Sequence, residues 1–309
     1  MLPSDGGPAV NRARNLGLFV ALAALWGLSF PAIRSGLETL PPLLFATARY
    51  VVGGVLLLGF LVARGTDWRP TTREDRVAVL LAGAFLIAGN SLLFIGQQTV
   101  PSGIASILYG LIPILTTGFA AALLPAEPLT WRRVVGVVLG LLGVALIARP
   151  DPENLLTAEL VGMAFVVAAA VSVALGSVLL RTRTPTIGTA PMTAWAMLVG
   201  GVLLFGGSLA TGERLADVTL SLDGLVAVVY LGVFASAVAY VVYFTLLERF
   251  GPLEINLVSY VVPVFATLGG VVWFEESLTP GMVGAFLLIV GGFLVLKARV
   301  VARELGYDR

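Results

Sequence analysis

The chain has 309 residues, of which 58% are hydrophobic and only 12% charged, with a formal net charge of +1. Soluble chains carry about 25% charged and 45–50% apolar residues, so an ordinary soluble domain is excluded, and so small a net charge gives no electrostatic case for nucleic acid. Cysteine and histidine are both absent, which rules out disulfides and thiolate chemistry and removes the commonest general base and metal ligand.

Ten apolar stretches follow one another, at residues 16–33, 42–63, 77–97, 102–124, 133–148, 160–180, 189–209, 224–247, 252–274 and 281–296. Each is near the ~20 residues a helix needs to cross a ~30 Å hydrocarbon core. No strand-like alternation is present, so helices are the expected spans. Arg12 and Arg14 precede the first stretch as in a signal peptide. It is too long for a typical signal core and runs into Arg34 without a cleavage site, so it is read as a span. The connections alternate in charge: one set holds fifteen basic residues and the other only Arg34, Arg149 and Arg214. The basic set is expected in the cytoplasm together with both termini. The predicted setting is the cell membrane, with the bilayer and a small molecule as partners.

The chain is written twice. Pro113 falls on Pro263 at an offset of 150, Glu127-Pro-Leu-Thr130 on Glu276-Ser-Leu-Thr279 at 149, and VVGGVLLLG (residues 51–59) on LVGGVLLFG (residues 198–206) at 147. Five spans per copy is an odd number, so the second copy must enter from the opposite side. The expected fold is an all-α polytopic membrane protein of ten transmembrane helices arranged as two inverted five-helix repeats. The first repeat is placed at residues 16–148 and the second at 160–297. A linker at 149–159 joins them, with tails at 1–15 and 298–309.

WGLSFP (residues 26–31), PPLLFATARYVVGG (residues 41–54), mid-span Pro113 with its Glu127 corner, and their counterparts at Pro263 and Glu276 occur in order across residues 16–297. This ordered set resembles the EamA-type members of the drug/metabolite transporter superfamily. The resemblance implies ten helices in two inverted halves, a central cavity, and export or exchange of small metabolites. Amino acids or related compounds are the substrates favoured by analogy. It also implies that the corners at Glu127 and Glu276 belong to the fold, capping the helix that follows.

The fourth span carries Ser102, Ser106, Tyr109, Pro113 and Thr117 at spacings of three and four, hence on one face; the ninth repeats the pattern as Pro252, Asn256, Ser259, Pro263 and Thr267. Each mid-span proline removes a backbone donor, so Pro113 and Pro263 are expected helix breaks beside an aqueous cavity. Asn90 and Gln97 on the third span, and Ser236, Tyr240 and Tyr243 on the eighth, are the matching polar faces, and Asn90 in hydrocarbon needs a partner. Tyr260 joins the cavity candidates, and Trp26, Phe30 and Trp195 are possible aromatic walls. Arg49 is the ionisable residue well inside a span. It is read either as an anchor for a substrate carboxylate or phosphate or a helix-break carbonyl, or as a structural arginine.

No Asp or Glu falls near mid-span, which argues against proton-coupled export of cations. An intramembrane enzyme finds neither His, Cys, a carboxylate pair nor a nucleotide-binding glycine loop, so no enzyme activity, cofactor or metal is expected. The alternative to a carrier is a channel or lipid scramblase built on the same shell; a monomer suffices for either.

Overall fold

A computed structural model describes residues 8–124, 131–148, 156–255 and 258–304, and among these there are helices and no strands. Glu127, Asn256 and most of the expected linker lie outside the described residues.

The first apolar stretch is α1 (Pro8–Gly27) continued by α2 (Ser29–Leu37), and the second is α3 (Pro42–Ala63). The third is composite: α4 (Arg73–Leu81), a π-helical stretch Ala82–Ala88, a 3₁₀ turn Gly89–Ser91 and α5 (Leu92–Gly96). The fourth is broken into α6 (Ser102–Tyr109) and α7 (Ile112–Leu123). Then come α8 (Trp131–Ala148), α9 (Ala158–Leu180) and α10 (Thr189–Ala210). The eighth stretch is composite again, with α11 (Leu222–Val229), a π-helical stretch Tyr230–Val238 and α12 (Ala239–Ile255). The last two are α13 (Val258–Phe274) and α14 (Pro280–Glu304). Seven segments are long and apolar enough to cross a membrane, and Val134–Ala148, Val258–Phe274 and Pro280–Val295 are apolar but shorter. The chain is therefore an all-helical polytopic membrane protein.

Helix starts follow local chemistry. Thr72 and Asp75 form a capping box on α4: the Asp75 N–H donates to Thr72 Oγ1 (3.0 Å) and the Thr72 N–H to Asp75 Oδ2 (2.9 Å). The buried Asp75 carboxylate also accepts from the Thr186 and Ile187 N–H groups (2.7 and 2.9 Å), tying α4 to the loop before α10. Glu213, just after α10, accepts from the Leu43 and Leu44 N–H groups (3.0 and 2.9 Å), the free donors of α3's first turn.

The two prolines differ, which corrects the expectation of paired breaks. The fourth stretch breaks at Gly110–Leu111, and Pro113 is the second residue of α7, where a missing N–H costs nothing. Pro263 lies inside α13, which stays helical through it. A proline within a buried membrane helix bends it without ending it when neighbours support the freed carbonyl.

Polarity is turned outside in, as lipid requires. Leu56, Val202 and Leu287 are exposed, while Asp75, Ser102, Ser106 and Ser236 are buried. Packing sorts the rods into groups. The third stretch, α6 and α7 gather around α9; α1, α2 and the eighth stretch gather with α13; α3 pairs with α10 and α8 with α14. The first two groups meet through α6, which packs on α13 and α2, whereas α7 packs on α8, α9 and α14.

Candidate functional site

Between these two groups lies a cavity of about 230 Å³. Seven of the predicted candidates surround it: Trp26, Arg49, Asn90, Ser106, Tyr109, Tyr240 and Ser259. Asn256 is outside the described residues. Tyr260 is not at the cavity, and the reason is angular. Successive helical residues point ~100° apart, so with Ser259 facing in, Tyr260 turns away and packs on Phe293 at 4.6 Å between ring centroids. Trp195 is also elsewhere, stacked on Trp68 with its indole N–H donating to the Trp68 carbonyl (2.8 Å).

One wall is a hydrogen-bonded chain. The Tyr109 hydroxyl donates to Asn90 Oδ1, and Asn90 Nδ2 donates to the Tyr50 hydroxyl at 2.7 Å. Asn90 thus has the partners that an amide in hydrocarbon needs, and it links α3, the third stretch and α6. The opposite wall is aromatic, with Trp26 against Tyr240 (5.7 Å) and Tyr243 (5.5 Å). Phe30 packs edge-on to Tyr109 at 6.0 Å.

Arg49 enters from α3 and is 8% exposed. Its Nε donates to Ser236 Oγ at 3.3 Å, and its guanidinium lies 5.0 Å from the Tyr50 ring centroid and 5.8 Å from that of Phe94. Among the described residues no carboxylate pairs with it, and none of the residues lining the cavity is acidic. The approach of α3 to the eighth stretch depends on two glycines one turn away. A Cβ on Gly53 would stand 2.6 Å from the Ser236 Cβ, and one on Gly232 would stand 2.7 Å from Val52 Cγ1.

Beside the cavity-lining Ile33 and one turn from Ser106, polar contacts tie α2, α6 and the corner after α13 together. Glu276, after α13, forms an ion pair with Arg34 on α2 and accepts from the Ser102 and Gly103 N–H groups (2.8 and 3.1 Å), the first residues of α6. Its corner therefore caps a helix 174 residues away in sequence, while Thr279 Oγ1 accepts from the Met282 N–H (3.3 Å) to cap α14. Arg34 also lies over the Phe274 ring at 4.7 Å, and Gln97 Nε2 donates to the Phe30 carbonyl at 3.0 Å. In this layer Gln97 Oε1 and Ser102 Oγ are buried with no hydrogen-bond partner among the described residues.

Sequence reasoning passed over Tyr50, Ser29 and Val173 at the cavity. Val173 had a signal, because it stands 147 residues after Trp26, the offset of the first two spans of each half. Tyr50 had none beyond being next to Arg49.

Residues 15–149 and 160–297 each match the EamA-like transporter family. The chain belongs to that family. The chain is similar to proteins named as transporters, among them the uncharacterised inner membrane transporter YedA of Escherichia coli K12, 33% identical over 267 residues, covering 85% of this chain and 84% of that protein. The S-adenosylmethionine/S-adenosylhomocysteine transporter of Chlamydia trachomatis serovar L2 is 29% identical over 290 residues, covering 91% of this chain and 87% of its own. A solved crystal structure shares the fold, with a TM-score of 0.64 across 95% of this chain and 99% of the other at 24% identity. This EamA-family chain is a small-molecule transporter of the membrane and not an enzyme.

Proposed function

We propose that the chain is a secondary transporter that exports or exchanges small metabolites by alternating access at the central cavity. Ten spans in two inverted five-helix repeats, residues 16–148 and 160–297, lie in the plasma membrane with both termini cytoplasmic. The end held by Glu276 is then external, and in this reading it is the sealed one. The observation that carries the reading is the asymmetry of packing: α6 is clamped to α13 and α2 above the cavity, and α7 below it packs away from them.

Opening outward means parting Arg34 and Ser102 from Glu276 and separating α6 from α13. The two unpaired polar atoms at the seal, Gln97 Oε1 and Ser102 Oγ, gain water when it opens, which offsets part of the ~1–3 kcal/mol that each costs while buried. A bistable seal of this kind is what alternation between two faces requires. The substrate contacts are proposed at Trp26, Arg49, Asn90, Ser106, Tyr109, Tyr240 and Ser259, with Asn256 completing the set by its repeat position. Amino acids or related compounds are the class that the family resemblance favours.

Counterflow in proteoliposomes preloaded with unlabelled amino acids and small organic anions tests this reading. Saturable uptake of label that depends on like solute inside is the expected result. Flux linear in concentration and indifferent to the preload would establish a channel instead, and movement of lipid between leaflets a scramblase.

A further inference from the structure

Resting on the transporter reading, we propose that the carried solute is a small monocarboxylate, that Arg49 binds its carboxylate end-on, and that Ser236 aims Arg49 for this task. A guanidinium within the membrane is costly unless a counter-charge or cavity water meets it. Arg49 finds no carboxylate among the described residues, and its hydrogen bond goes to a neutral hydroxyl. That bond occupies Nε and leaves the two terminal nitrogens, a parallel pair of donors matched to the two oxygens of a carboxylate. The Tyr50 and Phe94 rings flank the guanidinium and hold its plane. Among the described residues no helix-break carbonyl takes up its donors, so a structural role there does not account for them.

The rest of the cavity narrows the class. Among the described residues Arg49 is the single basic one of the lining, so one negative charge is matched and a dianionic phosphate is not. Tyr50 already accepts from Asn90, which leaves its own O–H to be donated; Tyr240 has no hydrogen bond among the described residues. Both add donors for an acceptor-rich solute. Trp26, Phe30 and Tyr109 give the remainder an apolar, partly planar wall. A cavity of about 230 Å³ has room for roughly eight waters at ~30 Å³ each, hence for a body of about benzoate size.

The test uses matched probes that differ only at the charged group: benzoate, benzamide and benzylamine, and 3-methylbutanoate with its amide. Binding to the purified full-length protein is read as ligand-dependent thermal stabilisation at millimolar concentrations. The carboxylates should bind at least about ten-fold more tightly than their amides, as a lost charge-assisted pair predicts. Arg49→Gln should bring each carboxylate and its amide within about two-fold of one another, and Arg49→Lys, which keeps the charge and loses the fork, should fall between. Ser236→Ala leaves the Arg49 charge in place and should lower the carboxylate-to-amide ratio by several-fold, which a merely structural serine would not do; it carries the test if Arg49→Gln unfolds. Amide or amine binding equal to benzoate, no binding by any carboxylate, or an unchanged ratio in Ser236→Ala overturns the proposal. Equilibrium binding needs no flux, so carboxylate binding without counterflow would sink the transporter reading and leave this site standing. Counterflow of a solute that lacks a carboxylate would do the reverse.

Discussion

Asn90 and Tyr240 stand 150 residues apart in the chain and face the same cavity. Each follows a π-helical stretch by two residues, Asn90 after Ala82–Ala88 and Tyr240 after Tyr230–Val238. A π-helical turn takes an extra residue and so rotates everything beyond it, which is why such turns recur where a side chain must be re-aimed at a functional site. The repeat places an amide on one wall and an aromatic hydroxyl on the other.

The Tyr109–Asn90–Tyr50 chain should matter to transport more than to folding. Asn90→Ala and Tyr109→Ala are each expected to lower the initial rate of counterflow by ten-fold or more, since preorganised contacts at a site are worth ~1–3 kcal/mol. Membrane abundance should stay near that of the parent protein. Asn256→Ala is expected to behave alike from its repeat position. Unchanged rates in all three variants would remove the cavity assignment.

Helix approach at Arg49 leads to a contrast between glycines. Gly53→Ala should push α3 off Ser236 and cost about 1–3 kcal/mol, the usual range for overpacking. Gly59→Ala, on the same helix with nothing within 4 Å of a new Cβ, should be neutral. Thermal unfolding of the two proteins in one detergent measures the difference; equal melting temperatures would contradict the close approach.

Loss of the Glu276 charge should loosen the seal. The parent chain has no cysteine, so Ser102→Cys reports on this layer without background. Because Ser102 is buried, its labelling by an impermeant maleimide should be slow. Adding Glu276→Gln, which removes the pairing with Arg34 and weakens the hold on the α6 N–H groups, should speed labelling by about ten-fold, as expected for a loss of ~1.4 kcal/mol. An unchanged rate would assign the Arg34–Glu276 pair no part in closure.

Orientation has its own check. Thr66 and Thr211 are both exposed, at opposite ends of the bundle. In right-side-out vesicles an impermeant maleimide should label Thr211→Cys and spare Thr66→Cys until the membrane is opened. The opposite pattern would turn the proposed topology over.

Much of this was legible in the sequence, and the reasons are physical. Lipid forces polar groups inward, so Arg49, Asn90, Ser106 and Tyr109 advertised the cavity simply by being polar in apolar runs. The offset of 150 carried the reading across to Tyr240 and Ser259. What stayed hidden depends on small rotations or distant partners. The π-helical stretches shift hydrogen bonding by one residue without a marker residue. The break at Gly110–Leu111 precedes the proline that suggested it. Tyr260 differs from Ser259 only by ~100° around a helix. Glu276 looked like a cap for the next helix, and its reach to Ser102 requires knowing that α6 and α13 pack.

The most direct test of alternation is to lock the sealed end. Cysteines introduced together at Arg34 and Glu276, and bridged by a short bifunctional thiosulfonate, hold α2 to the corner after α13. Counterflow should fall to background on cross-linking and return when a reductant releases the bridge. Full transport by the cross-linked protein would contradict the account, because the seal would then never need to open.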